Sequence, residues 1–385
     1  MESKNYVIRV LADPSQIDAG AWNEMLAVQP EPTLFMRHEY LAALVRTGCA
    51  CAETGWAPSF VTVWHGERLQ AACAAWVKTH SFGEYVFDWA WAEAYQRHGL
   101  RYYPKLLVAV PFTPVPGTRL MAVDASARSA LIEALRSVAQ QAGLSSIHAL
   151  FAPAQEAQVT QSQGWLQRQT VQFHWQNRAP QPYVDFADFL GAMSHDKRKK
   201  ISQERRRVAE AGVSFTVLQG KQIAAQDWAF FHACYTLTYR AHGSHPYLNL
   251  AFFREMQRTM PEHWLMFRAH RAGEPVAASL LAIDPQRRVA YGRYWGCTEP
   301  IALLHFEACY YQPLQWCIAN GYQQFEGGAQ GEHKLARGLM PAVSHSTHWL
   351  QHPGFYDAVA RHLEREGPGM QSYVDELREH SPFKA

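Results

Sequence analysis

One order of elements occurs twice along this chain, and it constrains the fold more than any single motif does. An apolar run at 60–64 passes through the Gly-Glu pair of GERLQAA (66–72) into a second run, and the run at 264–269 does the same through GEPVAAS (273–279). Apolar runs joined by such a pair predict hairpins. Each hairpin is followed by an aromatic strand pattern, EYVFDWAW (84–91) in one copy and VAYGRYWG (289–296) in the other. Helices are expected next, at 129–142 and 306–320, closed by Gly143 and Gly321 as helix C-termini prefer. A short strand ends each copy, LSSIHAL (144–150) and YQQFEGG (322–328).

The offset of roughly 200 residues lies far outside the 20–50 residue period of a solenoid. At 385 residues the chain also exceeds what one ordinary core serves. Together these predict two similar α/β domains, 1–180 and 181–385, joined near 180–183.

With 48% hydrophobic and 18% charged residues and no low-complexity tract, the chain is expected to be folded throughout. A net charge of +2 excludes a global polyanion-binding character but leaves local clusters open. Seven cysteines, irregularly spaced and outside any CxxC pair, argue against a disulfide framework or a zinc knuckle. No apolar run reaches the length of a membrane span and none at the start suits a signal peptide, so a cytoplasmic protein is expected.

In an open α/β sheet, ligands gather where strands end and diverge. In the second copy those ends hold Gly296 and Cys297 on one side and the segment FEGGAQGEHKLARG (325–338) on the other. Glu326 ends a strand beside Phe325, where partial burial would raise its pKa toward that of a general base. His333 needs no such shift. The two are left as alternative bases, with Cys297 as a lesser nucleophile candidate, because a cysteine after a buried strand is ordinarily inert packing. Lys334 and Arg337, spaced i and i+3, suit a phosphate or carboxylate.

The first copy has His148 in IHALFAP where the second has its glycines, so the second is the expected catalytic copy. The first concentrates His80, Ser81, Glu84, Tyr85, Asp88, Tyr103 and Lys105 among aromatics, a composition suited to holding an amine. A helix over 194–211, with Met193, Ile201 and Val208 as a narrow apolar stripe, presents Lys197, Arg198, Lys199, Lys200, Arg205, Arg206 and Arg207. Such a face attracts RNA or a nucleotide phosphate. P-loop, GxSxG and HExxH patterns are lacking, and the His242/His245 and His345/His348 pairs have no third ligand nearby, so no metal is expected.

The segments starting at KTHSFGEYVFDWAW (78–91), with YGRYWG (291–296), LHFEACYYQPL (304–314) and FEGGAQGEHKLARG, resemble the FemAB-like family of bacterial N-acyltransferases over essentially the whole chain. The resemblance implies two tandem GNAT-like (acetyltransferase-like) domains, each a mixed central sheet flanked by helices, related to enzymes that add amino acids from aminoacyl-tRNA to peptidoglycan precursors. It departs from ordinary GNAT enzymes at GCTEPIALLHF (296–306), which lacks their glycine pattern for the coenzyme A pyrophosphate.

The expected activity is transfer of an acyl or aminoacyl group from a carrier to a small-molecule or peptide amine. Acyl-CoA or aminoacyl-tRNA would be a co-substrate rather than a tightly bound cofactor, with tRNA as a partner. Glu326, His333 and Cys297 are the expected catalytic residues. The acceptor would be positioned by the first-copy cluster together with Tyr294, Trp295 and Gln330, and carrier phosphates by Lys197, Arg198, Lys200, Arg205, Lys334 and Arg337. The alternative is a non-catalytic protein that recognises a peptidoglycan precursor or RNA through the same cleft.

Overall fold

A computed structural model describes residues 5–328 and 331–384. The chain forms two compact units, one running up to Thr170 and completed by Val343–Ser372, the other comprising Val171–Ala342 and the segment from Tyr373 onward. Two of the three unit boundaries fall inside long strands, Leu166–Gln176 and Met340–Leu350, and the third inside the helix Pro353–Glu379.

In the first unit a small antiparallel sheet orders Val7–Leu11, Phe60–His65, Arg68–Cys73 and Met121–Ala122. A second run of strands orders Trp56–Pro58, Ala75–Lys78, Lys105–Val108 and Ser146–Ala152, and the last two are parallel. The helix Ala125–Gln141, capped by the Asp124 carboxylate, buries Leu131, Ile132 and Leu135 against Val61, Val63, Leu106 and Ile147. Gly143 follows that helix at φ 62°, the left-handed exit anticipated for it.

The second unit repeats the scheme. Val213–Gln219, Trp264–Arg271, Glu274–Asp284 and Val289–Cys297 are successively antiparallel. Val289–Cys297 then lies parallel to Gln324–Glu326, which pairs antiparallel with residues 174–176. A continuous helix over 304–319 connects the parallel strands and packs Tyr311, Leu314 and Cys317 onto Leu281, Ala290 and Phe325.

Two details of the repeat differ from its sequence pattern. The second hairpin turns on Ala272 and Gly273, at φ 51° and 87°, with Glu274 already in the strand. Two consecutive positive φ values match the twist of the flanking strands. In the first copy, 84–91 is not a strand: Gly83 and Tyr85 sit at φ 82° and 62°, which breaks an extended run, and the helix Trp89–Arg97 follows. The strand equivalent to Val289–Cys297 is Lys105–Val108, which lies parallel to the strand after its helix just as Val289–Cys297 does.

One glycine sets how tightly the second unit closes. Gly296 packs the strand Val289–Cys297 onto the helix Ala225–Ala241, and a Cβ there would lie 2.0 Å from the Cys234 carbonyl oxygen. The obstacle is helix backbone, so it cannot yield as a side chain would. Gly296→Ala is expected to cost about 1–3 kcal/mol, measurable as a lowered urea midpoint, whereas an unchanged midpoint would show that strand and helix are not in this contact.

Candidate functional site

The parallel strands of the second unit pair for only three residues, Val289 with Gln324, Ala290 with Phe325 and Tyr291 with Glu326. Beyond that they part. The longer strand continues along Glu274–Asp284, with Leu281 opposite Gly292 and Leu280 opposite Tyr294, so that Arg293 is the extra residue of a bulge. The shorter chain turns the other way, its Gly327 N–H donating to the Phe173 carbonyl at 3.0 Å. Gly327 has no room for a side chain, since a Cβ would meet Leu339 at 2.4 Å.

The parting leaves an opening bordered by Arg293, Tyr294, Trp295, His305, Tyr310 and Gly327. It lies at the carboxyl ends of the parallel strands, where such sheets collect ligands.

The helix over 304–319 supplies one wall. It widens into a π-turn at Glu307–Tyr311, directly before Pro313. Proline lacks an N–H and clashes with the carbonyl four residues back, and the Ser279 hydroxyl donates to the Ala308 carbonyl at 2.6 Å, two disturbances that favour such a widening. The π-turn carries Tyr310, whose hydroxyl lies 3.0 Å from His333 Nε2. His305 is pushed down to about 4, by burial first and then by the charges of His333, Arg337 and Lys334.

The glycine-rich segment supplies the other wall. Residues Glu332–Arg337 form a 3-10 helix rather than an α-helix, and three residues per turn place Lys334 directly below Arg337. Both side chains are buried. Lys334 Nζ donates to the Gly328 carbonyl at 3.0 Å, and burial lowers its pKa to about 8. Arg337 bonds Glu204 at 3.0 and 3.2 Å, donates to the His333 carbonyl at 2.7 Å and lies 3.5 Å over the Phe306 ring. A phosphate would have to displace that buried carboxylate. His333 itself is exposed, its pKa lowered by partial burial and by the Arg337 and Lys334 charges. Gln330 lies outside the described residues.

Strand alternation sends Glu326 to the face opposite Phe325, and the residue is 7% exposed. There it accepts from Gln324 Nε2 at 3.0 Å and faces His174 Nε2 at 3.9 Å, with Gln172 at 3.1 Å from the same imidazole nitrogen. Burial and the Lys334 charge hold His174 at about 4. Sequence reasoning missed His174 and Gln172, although the alternation VQFHWQ (171–176) signals a strand with one polar face.

Cys297 is half-buried at its strand end, and burial raises its thiol pKa, contrary to what a nucleophile needs. The Tyr294 hydroxyl accepts from Arg293 at 2.9 Å, and Trp295 packs on His305 while its carbonyl takes the Thr238 hydroxyl.

The basic helix forms as His195–Glu210 and buries Ile201 and Val208 as its stripe predicts. Arg205 is committed to Glu307 at 3.0 Å and Gln315 at 2.9 Å. Lys199, Lys200 and Arg207 are exposed, with Lys197 and Arg198 partly so.

In the first unit, the acids expected to hold an amine do hold one, and it belongs to the chain. Lys105, fully buried, donates to Glu84 at 2.8 Å, to Ser81 at 2.9 Å and to Asp88. Ser81 continues to the Tyr103 hydroxyl at 2.8 Å, while Asp88 accepts from Tyr102, which reaches His148 at 3.1 Å. His148 and His348 face each other across paired strands with 2.6 Å between their Nδ1 atoms. Burial pushes Glu84 up to about 7 against the pull of Lys105. For Asp88 burial pulls upward most strongly of any one influence, yet the Lys105 ammonium together with His148 and Ser81 holds the carboxyl well below its usual range. Lys78 sits 3.8 Å over the Trp56 ring, lowered to about 7 by burial. His80 bonds the Thr54 carbonyl, and Tyr85 is the partly buried residue at φ 62°.

Burial keeps His148 at about 3, His174 and His305 at about 4, and His348 well below 6.5. An unfolded histidine takes up its proton near 6.5, so the unfolded chain binds more protons and stability falls as pH drops from 6.5 toward 4. Glu84, raised to about 7, and Glu156, also raised by burial, act in the opposite sense, two carboxyls against eight histidines, since His80, His232, His333 and His345 are lowered as well. The urea midpoint is therefore expected to fall between pH 6.5 and 4.5, less steeply in His174→Gln; a midpoint independent of pH would contradict these burials.

No helix among the described residues is long and apolar enough to cross a membrane, and none of their His, Cys, Asp and Glu side chains group in threes as a metal ion would need. No curated protein matches the chain in sequence. Several solved structures share its fold at low identity. FemX is 10% identical with a TM-score of 0.55, over 89% of this chain and 98% of that one. The C-terminal domain of a putative lysylphosphatidylglycerol synthetase from Agrobacterium fabrum is 12% identical with a TM-score of 0.54, over 92% and 97%. L-PGS from Bacillus licheniformis is 11% identical with a TM-score of 0.53, over 90% and 97%. These likenesses are of fold, a mixed α/β architecture. The model of a family described by peptidoglycan biosynthesis and recognition matches residues 13–385, and this chain therefore belongs to the FemAB-like family.

Proposed function

We propose that the second unit catalyses N-acyl transfer, moving an acyl or aminoacyl group from an activated carrier to an amine, with a cell-wall precursor as acceptor. The parting of the parallel strands beside His333, Tyr310 and Lys334 carries this reading. A narrow opening at strand ends admits an extended acyl-bearing arm, and the titratable groups stand at its edge.

The amine lone pair attacks the acyl carbon, the C–N bond forms and the bond to the carrier oxygen or sulfur breaks. The excess amine proton passes to a base. His333 is favoured over Glu326, because its pKa lies below the ordinary 6.5 and leaves it neutral at pH 7, and because it bonds a hydroxyl that borders the opening. Glu326 stands on the opposite sheet face with His174. Backbone N–H groups at 295–297 are assigned to the developing oxyanion, whose charge is best met by donors already in place. Lys334, with the exposed cations of His195–Glu210, is assigned to carrier phosphates. An aminoacyl carrier is favoured over coenzyme A, because GCTEPIALLHF lacks a glycine-rich phosphate cradle and because the C-terminal domain of a putative lysylphosphatidylglycerol synthetase shares the fold.

The test is a mass-spectrometric screen of charged tRNA and acyl-CoA donors against amine acceptors. For any pair giving product, His333→Ala is expected to lower kcat by about 10²- to 10⁴-fold. Binding without product across the panel, or full turnover in both His333→Ala and Glu326→Gln, would overturn the reading. The pH profile of kcat/KM is expected to rise on a limb set by His333 below 6.5 and to fall as Lys334 loses its proton near 8. Lys334→Arg should remove the alkaline fall, and an alkaline limb that persists in that variant would exclude Lys334 as its source.

A further inference from the structure

We infer that Glu204, an acid on the inner face of the basic helix, is the positioning residue for His333, acting through Arg337 and Tyr311. The inference rests on the proposed role of His333.

The contacts form a closed ring within the second unit. Glu204, 7% exposed, accepts from Arg337 at 3.0 and 3.2 Å. Arg337, 4% exposed, donates to the main-chain carbonyl of His333 at 2.7 Å. The imidazole of the same residue bonds the Tyr310 hydroxyl at 3.0 Å. Tyr311, the next residue in the π-turn, donates its hydroxyl back to Glu204. His333 is thereby held at both its carbonyl and its ring, and both restraints trace to the π-turn and to a single carboxylate.

Energetics favour a positioning role over a purely stabilising one. A buried carboxylate–guanidinium pair gains little over an apolar pair of the same shape, since desolvation consumes most of the attraction. What such a pair supplies is geometry, two fixed acceptor atoms aimed at a planar fork. The turn carrying His333 needs that: it is a six-residue 3-10 helix whose N-cap Gly331 has no side chain to fix the entry, and its His333 ring is exposed. The same helix also exposes Lys199, Lys200 and Arg207, so the element proposed to meet carrier phosphates carries the acid that sets the base.

The test measures carbethoxylation of His333 by diethyl pyrocarbonate, read by peptide mass spectrometry against exposed His380 in the same sample. Glu204→Gln is expected to speed modification of His333 by roughly 3- to 10-fold, the worth of one ordinary hydrogen bond, with His380 unchanged and Glu204→Asp close to wild type. Tyr311→Phe, which leaves the ion pair intact, should give a smaller increase in the same direction and serves if Glu204→Gln fails to fold. His333 reacting at the wild-type rate in the folded variants would overturn the inference. If His333→Ala keeps full turnover while Glu204→Gln still loosens His333, the positioning stands and the assignment of His333 as base fails. If turnover is known, Glu204→Gln should lower kcat with KM little changed, whereas a rise in KM alone would contradict positioning.

Discussion

The second unit depends on a parallel strand pairing that lasts three residues and then stops. Where Val289–Cys297 and Gln324–Glu326 separate, one strand keeps its antiparallel neighbour and the other bends away at Gly327. A sheet that stayed paired to its end would present only its edge. This one presents a gap with backbone on both sides, a bulge at Arg293 that redirects the longer strand, and a helix whose π-turn brings Tyr310 to the mouth. The glycines follow from that geometry. Gly292 and Gly327 sit where backbone approaches backbone, and neither could carry a larger residue without moving its neighbours.

Charge is distributed against the usual pattern. The first unit buries Lys105, Glu84 and Asp88 in contact, then continues through Tyr102 into paired histidines, while Phe82, Phe87 and Trp89 of the same segment are exposed. The second unit buries Glu204 with Arg337, pairs buried Glu307 with half-buried Arg205, and leaves the remaining cations of its basic helix outward. In the first unit the acids that sequence reading offers to a ligand are already occupied by a cation of the chain, and in the second the cations Arg205 and Arg337 that it offers to a phosphate are already occupied by acids.

That occupancy is the part that could not be read from sequence. Hairpins, helix ends and the basic helix are legible, because apolar periodicity and terminal glycines are local signals. The strand expected at 84–91 fails because Gly83 and Tyr85 turn left-handed and the acids fold inward onto Lys105, whose place in the fold is not a local property. Arg337 reads as a phosphate ligand until Glu204 reaches it from a distant helix. Glu326 and His333 read as alternative bases within one glycine-rich segment, yet strand alternation puts Glu326 on the face opposite Phe325, beside His174. His174 and Gln172 were legible as one polar strand face but carried no motif to draw notice.

The central claim is that the donor enters between the parted strands. The most direct measurement is backbone hydrogen exchange at residues 292–297, with and without a stable 3′-aminoacylamino adenosine and, separately, a coenzyme A thioether. The account predicts slowed exchange there and at 325–328 with one of the two probes. Binding of either probe that slows exchange elsewhere in the chain while leaving 292–297 unchanged would contradict it.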